Sequence, residues 1–294
     1  MNLRDLQYLV ALSETRHFGR AALHCHVSQP TLSAQLKKLE EYLGVALIER
    51  RPRRVALTPA GEAVVERARR MLQDADDIRS LARAGQDPLA GQLKVGLIPT
   101  LGPYLLPRLM PRIARALPKL ALLLHEYQTA PLLQRVLDGE LDLAILALPA
   151  DTRGLQTRSL FAEAFLVAMP EKHRLAAKRR LRPADLAGES LLLLEEGHCL
   201  REQALEVCAR AGTEEREFRA TSLETLRQMV ASGAGITLLP RLAAEGPFAS
   251  ARGLVTRPFA PPAPSRLIGA AWRRSSSRGV AIAALCRVIT QAVS

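Results

Sequence analysis

Four cysteines among 294 residues are too few to staple a disulfide scaffold. The opening MNLRDLQYLV lacks the charged stretch, apolar run and cleavage site of a secretory signal. No apolar run approaches the ~18 residues needed to cross a bilayer. These scarcities point to a reducing cytoplasm and no membrane partner, and there a disulfide is transient rather than structural. Acidic residues are also in deficit: 29 Asp and Glu against 41 Lys and Arg leave a formal charge of +12. Such an excess suits a polyanionic partner such as nucleic acid. Only nine of those cations, against five acids, fall in the first 60 residues, so charge alone does not place the surface. The rest is ordinary for a globular chain, 48% hydrophobic and 24% charged. Its length suffices for two or three domains with cores of their own.

Leu3, Leu6, Leu9, Val10 and Ala11 predict a first amphipathic helix, and Phe18, Ala21, Ala22 and Cys25 a short second one. After a turn around Val27, HVSQPTLSAQLKKLEEYLG predicts a third, capped by Ser28, with Pro30 in its first turn and Gly44 as its stop. Leu32, Leu36, Leu39 and Leu43 mark its inner face; Thr31, Ser33, Gln35, Lys37 and Lys38 form a polar face able to meet base edges and phosphates. Two helices joined by a tight turn, the second polar-faced, describe a helix-turn-helix. ALIERRPRRVALT then predicts two strands around a turn, a wing whose Arg50, Arg51, Arg53 and Arg54 suit phosphates or a minor groove. Thr58 and Pro59 open a long helix in which Val64, Ala68, Met71, Ala75, Ile78 and Ala82 alternate spacings of four and three, a coiled-coil seam able to pair two reading heads. GQDPLAGQ reads as the linker after it.

The stretch FGRAALHCHVSQPTLSAQLKKLEEYLGVALIER, followed by LTPAG, resembles the winged helix-turn-helix of LysR-type transcriptional regulators. The resemblance implies that Phe18 to Lys37 form the DNA-binding motif, with Ser28, Gln29, Pro30, Thr31 and Ser33 at its reading end. It also implies that the long helix dimerises.

From Leu93 onward strands and helices alternate: LKVGLIP, YLLPRLMPRIARAL, LALLLHEYQ, PLLQRVLDG and LDLAILAL. A second set begins near residue 162 with AFLVAMP and runs through SLLLLEEG, a helix bearing two cysteines, TSLETLRQMVASG and GAGITLLP. RLIGAAWRR and VAIAALCRVITQAV close the chain. The expected fold class is therefore α plus α/β: a winged helix-turn-helix domain (1–58), a linker and dimerisation helix (59–90), and a two-lobed, periplasmic-binding-protein-like effector domain (91–294). Lobe I takes about 91–161 plus 267–294, and lobe II about 162–266.

EEGHCLREQALEVC places Cys199 directly after a histidine and at the start of a predicted helix, with Cys208 nine positions on. The helix dipole, Arg201 and His198 are expected to favour a Cys199 thiolate. Nine helical residues span ~13 Å and put the two thiols on opposite faces, whereas a disulfide needs Cα atoms within ~7 Å. The two cannot bond while the helix survives. C-x8-C with one histidine is a poor zinc pattern, and no partner arrangement suits a Cys–His acyl-transfer enzyme. Two packed core thiols and a redox switch both fit the spacing. Cys25, Cys286 and Trp272 read as packing residues, and KRRLR at 178–182 as a solvated surface.

LLLLEEGHCLREQALEVC, FRATSLETLRQMVASGAGITLLP and GLIPTLGPYLLP are similar to the peroxide-sensing branch of the LysR family. The likeness thins over 241–262 and at the C-terminus. It implies that Cys199 is the peroxidatic thiol and Cys208 its resolving partner, with a peroxide pocket of Thr100, Thr129, His198 and Arg266. Thr100 and Thr129 both follow strand ends, where open α/β sheets place ligands. It further implies homodimers and a homotetramer on double-stranded DNA, contact with RNA polymerase, activation of peroxide-defence genes and reset by a glutaredoxin-type reductant. No cofactor or metal is expected, and no enzymatic turnover. The competing readings are a LysR-type regulator of a small organic ligand held between the lobes, a thiol peroxidase, and a constitutive DNA binder.

Overall fold

The computed structural model describes residues 1–51, 54–84, 87–209, 214–245 and 253–293. The chain divides into two compact units, Met1–Gln86 with Asp138–Glu140, and Asp87–Leu137 with Leu141–Ser294.

In the first unit, α1 (Leu3–Thr15) is opened by a capping box between Asn2 and Asp5. The seven-residue α2 (Phe18–His24) starts at His17, whose ring nitrogen accepts the Arg20 N–H. Ser28 caps α3 (Gln29–Leu43), and Gly44 ends it in the left-handed region at φ 68°. Leu9, Leu12, Ala21, Leu32, Leu36 and Leu39 meet in one core. β1 (Ile48–Arg51) and β2 (Arg54–Leu57) pair antiparallel, Ile48 opposite Leu57. Glu40 takes the Leu47 and Ile48 N–H groups at 2.8 and 3.0 Å, fastening this hairpin to α3.

Thr58 caps α4 (Pro59–Ala84) by accepting the Gly61 N–H. The seam expected on α4 survives only in part. The first turns of α4 pack on α1, so Ala68 is already core, and so is Val65, which lies off the expected stripe. Val64 and Ala75 are half-buried, Met71 and Ile78 are exposed, and the Ala82 side chain lies outside the described residues.

The second unit is two α/β lobes. β3 (Gly91–Leu97) lies between β4 (Leu120–Glu126) and β5 (Leu143–Leu148), parallel to both. β11 (Ser265–Arg273) runs antiparallel to β5 and to β6 (Leu155–Pro170), giving the lobe I order β6-β11-β5-β3-β4. The run LAILAL of β5 is buried over nearly its whole length, as expected for a central strand covered on both faces. α5 (Gly102–Ala116), α6 (Thr129–Leu137) and α10 (Gly279–Val293) supply that cover.

The 16-residue β6 continues into lobe II, where β9 (Thr237–Pro240) and β10 (Leu254–Pro258) flank its second half. β7 (Ser190–Leu194) pairs parallel with β8 (Glu214–Ala220), and Leu191 bridges to Ile236 just ahead of β9. α7 (Cys199–Ala209), α8 (Leu223–Ala231) and the one-turn α9 (Arg241–Ala244) complete the lobe. β6 thus begins seven residues before the expected 162, and β8 and β10 were not anticipated. The polar stretch QTRS and the charged EEREFR lack the apolar alternation that signals a strand. Their hydrogen bonds come from partners distant in sequence.

Candidate functional site

The reading head presents Ser28, Gln29, Pro30, Thr31 and Lys37 exposed along α3, with Ser33 and Gln35 half-buried beside them. The Ser28 hydroxyl is occupied locally: it accepts the Thr31 N–H at 3.3 Å and pairs with the Thr31 hydroxyl at 2.7 Å. Lys37 lies 3.9 Å from Glu41, a loose exposed pair that leaves its ammonium solvated. Phe18 packs half-buried against the core instead of standing free. Arg50 and Arg54 sit on the hairpin strands with side chains outside the described residues, as is the whole of Arg53.

In the second unit, chain entry to α7 decides the thiol site. β7 ends at Leu194, and Gly197 turns the chain at φ 92°, a conformation that side-chain-bearing residues rarely adopt. The Gln128 side chain lies where a Cβ on Gly197 would stand, 2.4 Å from its Oε1. Cys199 then becomes the first residue of α7, half-buried against the core. Cys208 is on the same helix, its side chain outside the described residues.

Thr100 follows β3 and Thr129 follows β4 as the first residue of α6. Arg266 reaches Thr100 twice, Nη1 donating to its hydroxyl at 2.9 Å and Nη2 to its carbonyl at 3.0 Å. The Thr129 hydroxyl is buried without a well-formed protein hydrogen bond and lies close enough to the Cys199 thiol to hold its pKa down. Thr100, Thr129, Arg266 and Cys199 are therefore brought together. His198 is buried too, but its imidazole bonds the Thr221 backbone and stands 3.9 Å from Glu195.

The expected source of thiolate character is corrected for Arg201 and His198, while the helix start contributes through the Leu200 N–H. Burial dominates and pushes the Cys199 thiol above its ordinary range; Arg266, then Thr129 and the Leu200 N–H, pull the other way. Arg201 is not among those influences. Burial also pushes the His198 imidazole down, so near neutral pH it carries no charge to lend. The cation that matters comes from β11, on a crossing strand far off in sequence. Cys286 is sealed in the core, its thiol pushed up to about 11 by burial, and half-buried Cys25 is raised by burial as well.

Sequence reasoning missed Glu163. It stands opposite Arg266 across the β6–β11 pair; its Oε2 accepts the Arg266 Nε hydrogen at 2.8 Å and lies 2.8 Å from Nη2 as an ion pair. Its other oxygen takes the Leu242 N–H at 2.8 Å. A cavity of about 730 Å³ opens beside the thiol, lined by Thr129, Leu133, Ala147, Pro149, Asp151 and Cys199 among others. Among the described residues no group of three or more His, Cys, Asp or Glu side chains is placed to hold a metal ion. No described helix is long and apolar enough to cross a membrane.

The family of bacterial regulatory helix-turn-helix proteins of the lysR type matches residues 3–62, and the LysR substrate binding domain matches residues 86–294. The DNA-binding transcriptional dual regulator OxyR of Escherichia coli (strain K12) is 50% identical over 277 residues, 94% of this chain and 90% of that protein. A solved full-length OxyR from Pseudomonas aeruginosa, carrying a cysteine-to-aspartate substitution, is similar at TM-score 0.79 and 45% identity, covering 98% of this chain and 94% of that one. A hydrogen-peroxide-bound cysteine-to-serine mutant of Corynebacterium glutamicum OxyR is similar at TM-score 0.68 and 36% identity, covering 99% and 92%.

Proposed function

The chain belongs to the LysR family of bacterial helix-turn-helix regulators, and from that premise we propose that it is a transcription factor that senses hydrogen peroxide and activates oxidative-stress genes. The observation that carries this reading is Cys199 at the head of α7, beside the buried Thr129 hydroxyl and within the field of Arg266. A thiolate there attacks one peroxide oxygen. The O–O bond breaks and hydroxide departs. Sulfur gives up the two electrons that peroxide gains, leaving a sulfenic acid. The Cys208 thiolate then attacks that sulfur, the S–S bond forms and a second hydroxide leaves. The burial that raises the thiol keeps most of Cys199 protonated at rest and spares it from oxidants that the site does not bind. Thr129 and Arg266 offer donors to a molecule with two adjacent oxygens.

Closing the disulfide requires α7 to come apart, because nine residues of intact helix hold the two Cα atoms ~13 Å apart, beyond the ~7 Å a disulfide spans. The chemical event is thereby converted into refolding of lobe II. In our reading the domains are 1–58, 59–90 and 91–294, with lobe I about 91–161 plus 267–294 and lobe II about 162–266. The partners are operator DNA, RNA polymerase, a second dimer completing a homotetramer and a glutaredoxin-type reductant, in the cytoplasm. We assign DNA contacts to Phe18, Ser28, Gln29, Pro30, Thr31, Ser33, Gln35, Lys37, Arg50, Arg53 and Arg54, and the peroxide pocket to Thr100, Thr129, His198 and Arg266.

The cavity beside Cys199, far larger than peroxide needs, favours a second reading in which a small organic molecule is the signal. One experiment separates the two. Reduced protein is treated with one equivalent of hydrogen peroxide and digested without reductant. Its thiols are mapped by mass spectrometry while operator footprints are taken on the same samples. A Cys199–Cys208 linked peptide with an altered footprint supports the sensor. A free Cys199, or a bond that leaves footprint and transcription unchanged, removes it in favour of the ligand-responsive regulator.

A further inference from the structure

Building on the peroxide-sensor reading, we infer that Glu163 is a positioning residue: it fixes the plane of the Arg266 guanidinium so that the remaining Nη1 hydrogen serves the departing peroxide oxygen, and it ties that orientation to lobe II.

Glu163 on β6 and Arg266 on β11 are directly paired in register, 3% and 2% exposed. A guanidinium has five N–H groups. Glu163 accepts the Nε hydrogen and stands as an ion pair 2.8 Å from Nη2, while Thr100 accepts one Nη2 hydrogen and one of Nη1. Among the described residues the second Nη1 hydrogen has no protein acceptor. Contacts on both edges of the fork leave it no freedom to swing, which a single point of charge compensation would not achieve.

Glu163 Oε1 accepts the Leu242 N–H, one of the groups at the start of α9 that helix geometry leaves without a partner. Arg227 of α8 in turn donates to the Ala243 carbonyl in the same short helix. A displacement of α9 is therefore felt at the Arg266 fork. When the thiolate attacks, charge grows on the leaving oxygen, and a donor held in place beforehand on a buried arginine stabilises it without reorganising.

The test uses the full-length chain with Glu163→Gln and Glu163→Asp. Rate constants for Cys199 are measured against pH with two reagents: hydrogen peroxide, whose leaving oxygen needs the donor, and iodoacetamide, which reports only thiolate. Both are expressed per thiolate. We expect the peroxide constant to fall ~10–100-fold in the Gln variant and less in the Asp variant. The iodoacetamide constant stays within ~2-fold of wild type in both. If the peroxide constant is unchanged, or both constants fall together, Glu163 does not position the donor. Loss of folding in both variants, read by circular dichroism, makes it a structural brace and equally ends the proposal. A wild-type Cys199 no faster with peroxide than free cysteine brings down the sensor reading itself, an outcome separable from the others because it needs no variant.

Discussion

Arg266 Nε and Nη2 each stand 2.8 Å from one oxygen of Glu163, and neither residue is more than 3% exposed. Removing one partner of such a pair strands the other in a low-dielectric interior, at a cost of about 3–5 kcal/mol. Arg266→Met is expected to show that loss in its urea midpoint and to move alkylation of Cys199 to higher pH, since the main cation restraining the thiol is gone. The double variant Arg266→Met with Glu163→Leu should recover most of the stability and none of the thiol shift. An alkylation profile that does not move in Arg266→Met would separate this arginine from the thiol altogether.

Thr129 makes the opposite case, a buried hydroxyl whose contact with the Cys199 thiol falls short of a well-formed hydrogen bond and which has no other partner among the described residues. Thr129→Val keeps the shape and deletes the donor. Stability is expected to hold or to rise by up to ~1 kcal/mol, because an unmet polar group is replaced by a methyl. The Cys199 thiol loses one of the influences holding it down, so alkylation again shifts to higher pH. Thermal melts and the alkylation profile decide this together; a stability loss of several kcal/mol would mean the hydroxyl has an important partner after all.

The contrast between these two residues explains what the sequence revealed. Cys199 at a helix start was legible because Gly197 and the following periodicity mark a boundary locally. Thr129 could be placed beyond a strand end for the same reason. Arg266 entered only through family resemblance, and Glu163 not at all. Its role depends on the register between β6 and β11, which brings together residues 103 positions apart. A single acid between alanines in FAEAF looks like an outward-facing position. The same blindness hid the first half of β6 and all of β8, whose residues are polar where a local pattern demands alternation. It also misassigned Ala68, because the stripe on α4 gives no sign that α1 already covers part of it.

Cys286 provides a pH test independent of the site. Its thiol is pushed up to about 11 by burial, from an ordinary value of 9.0. The folded chain holds this proton where the unfolded chain has lost it. The resulting stabilisation is complete below the unfolded value and disappears as pH climbs through the folded one. Cys286→Ala, less stable at neutral pH, should close the gap to wild type by about 2–3 kcal/mol across that window. Urea melts of both proteins at a series of alkaline pH values measure the gap. A constant gap would show that the thiol does not titrate as its burial demands.

The reading helix allows stability and recognition to be separated at adjacent positions. Ser28 spends its hydroxyl on the Thr31 N–H, so Ser28→Ala removes a cap and is expected to cost ~1 kcal/mol of folding stability. Gln29 is exposed, and Gln29→Ala should leave the melting temperature nearly unchanged while relaxing discrimination at one base pair by about 1–3 kcal/mol. Lys37 is held only loosely by Glu41, so Lys37→Ala should weaken every sequence alike and reduce the salt slope of binding by ~1. Titrating matched and mismatched operators at several salt concentrations distinguishes the three behaviours. If Gln29→Ala lost affinity equally on all sequences, α3 would be gripping phosphates rather than reading bases, and recognition would have to be sought in the wing.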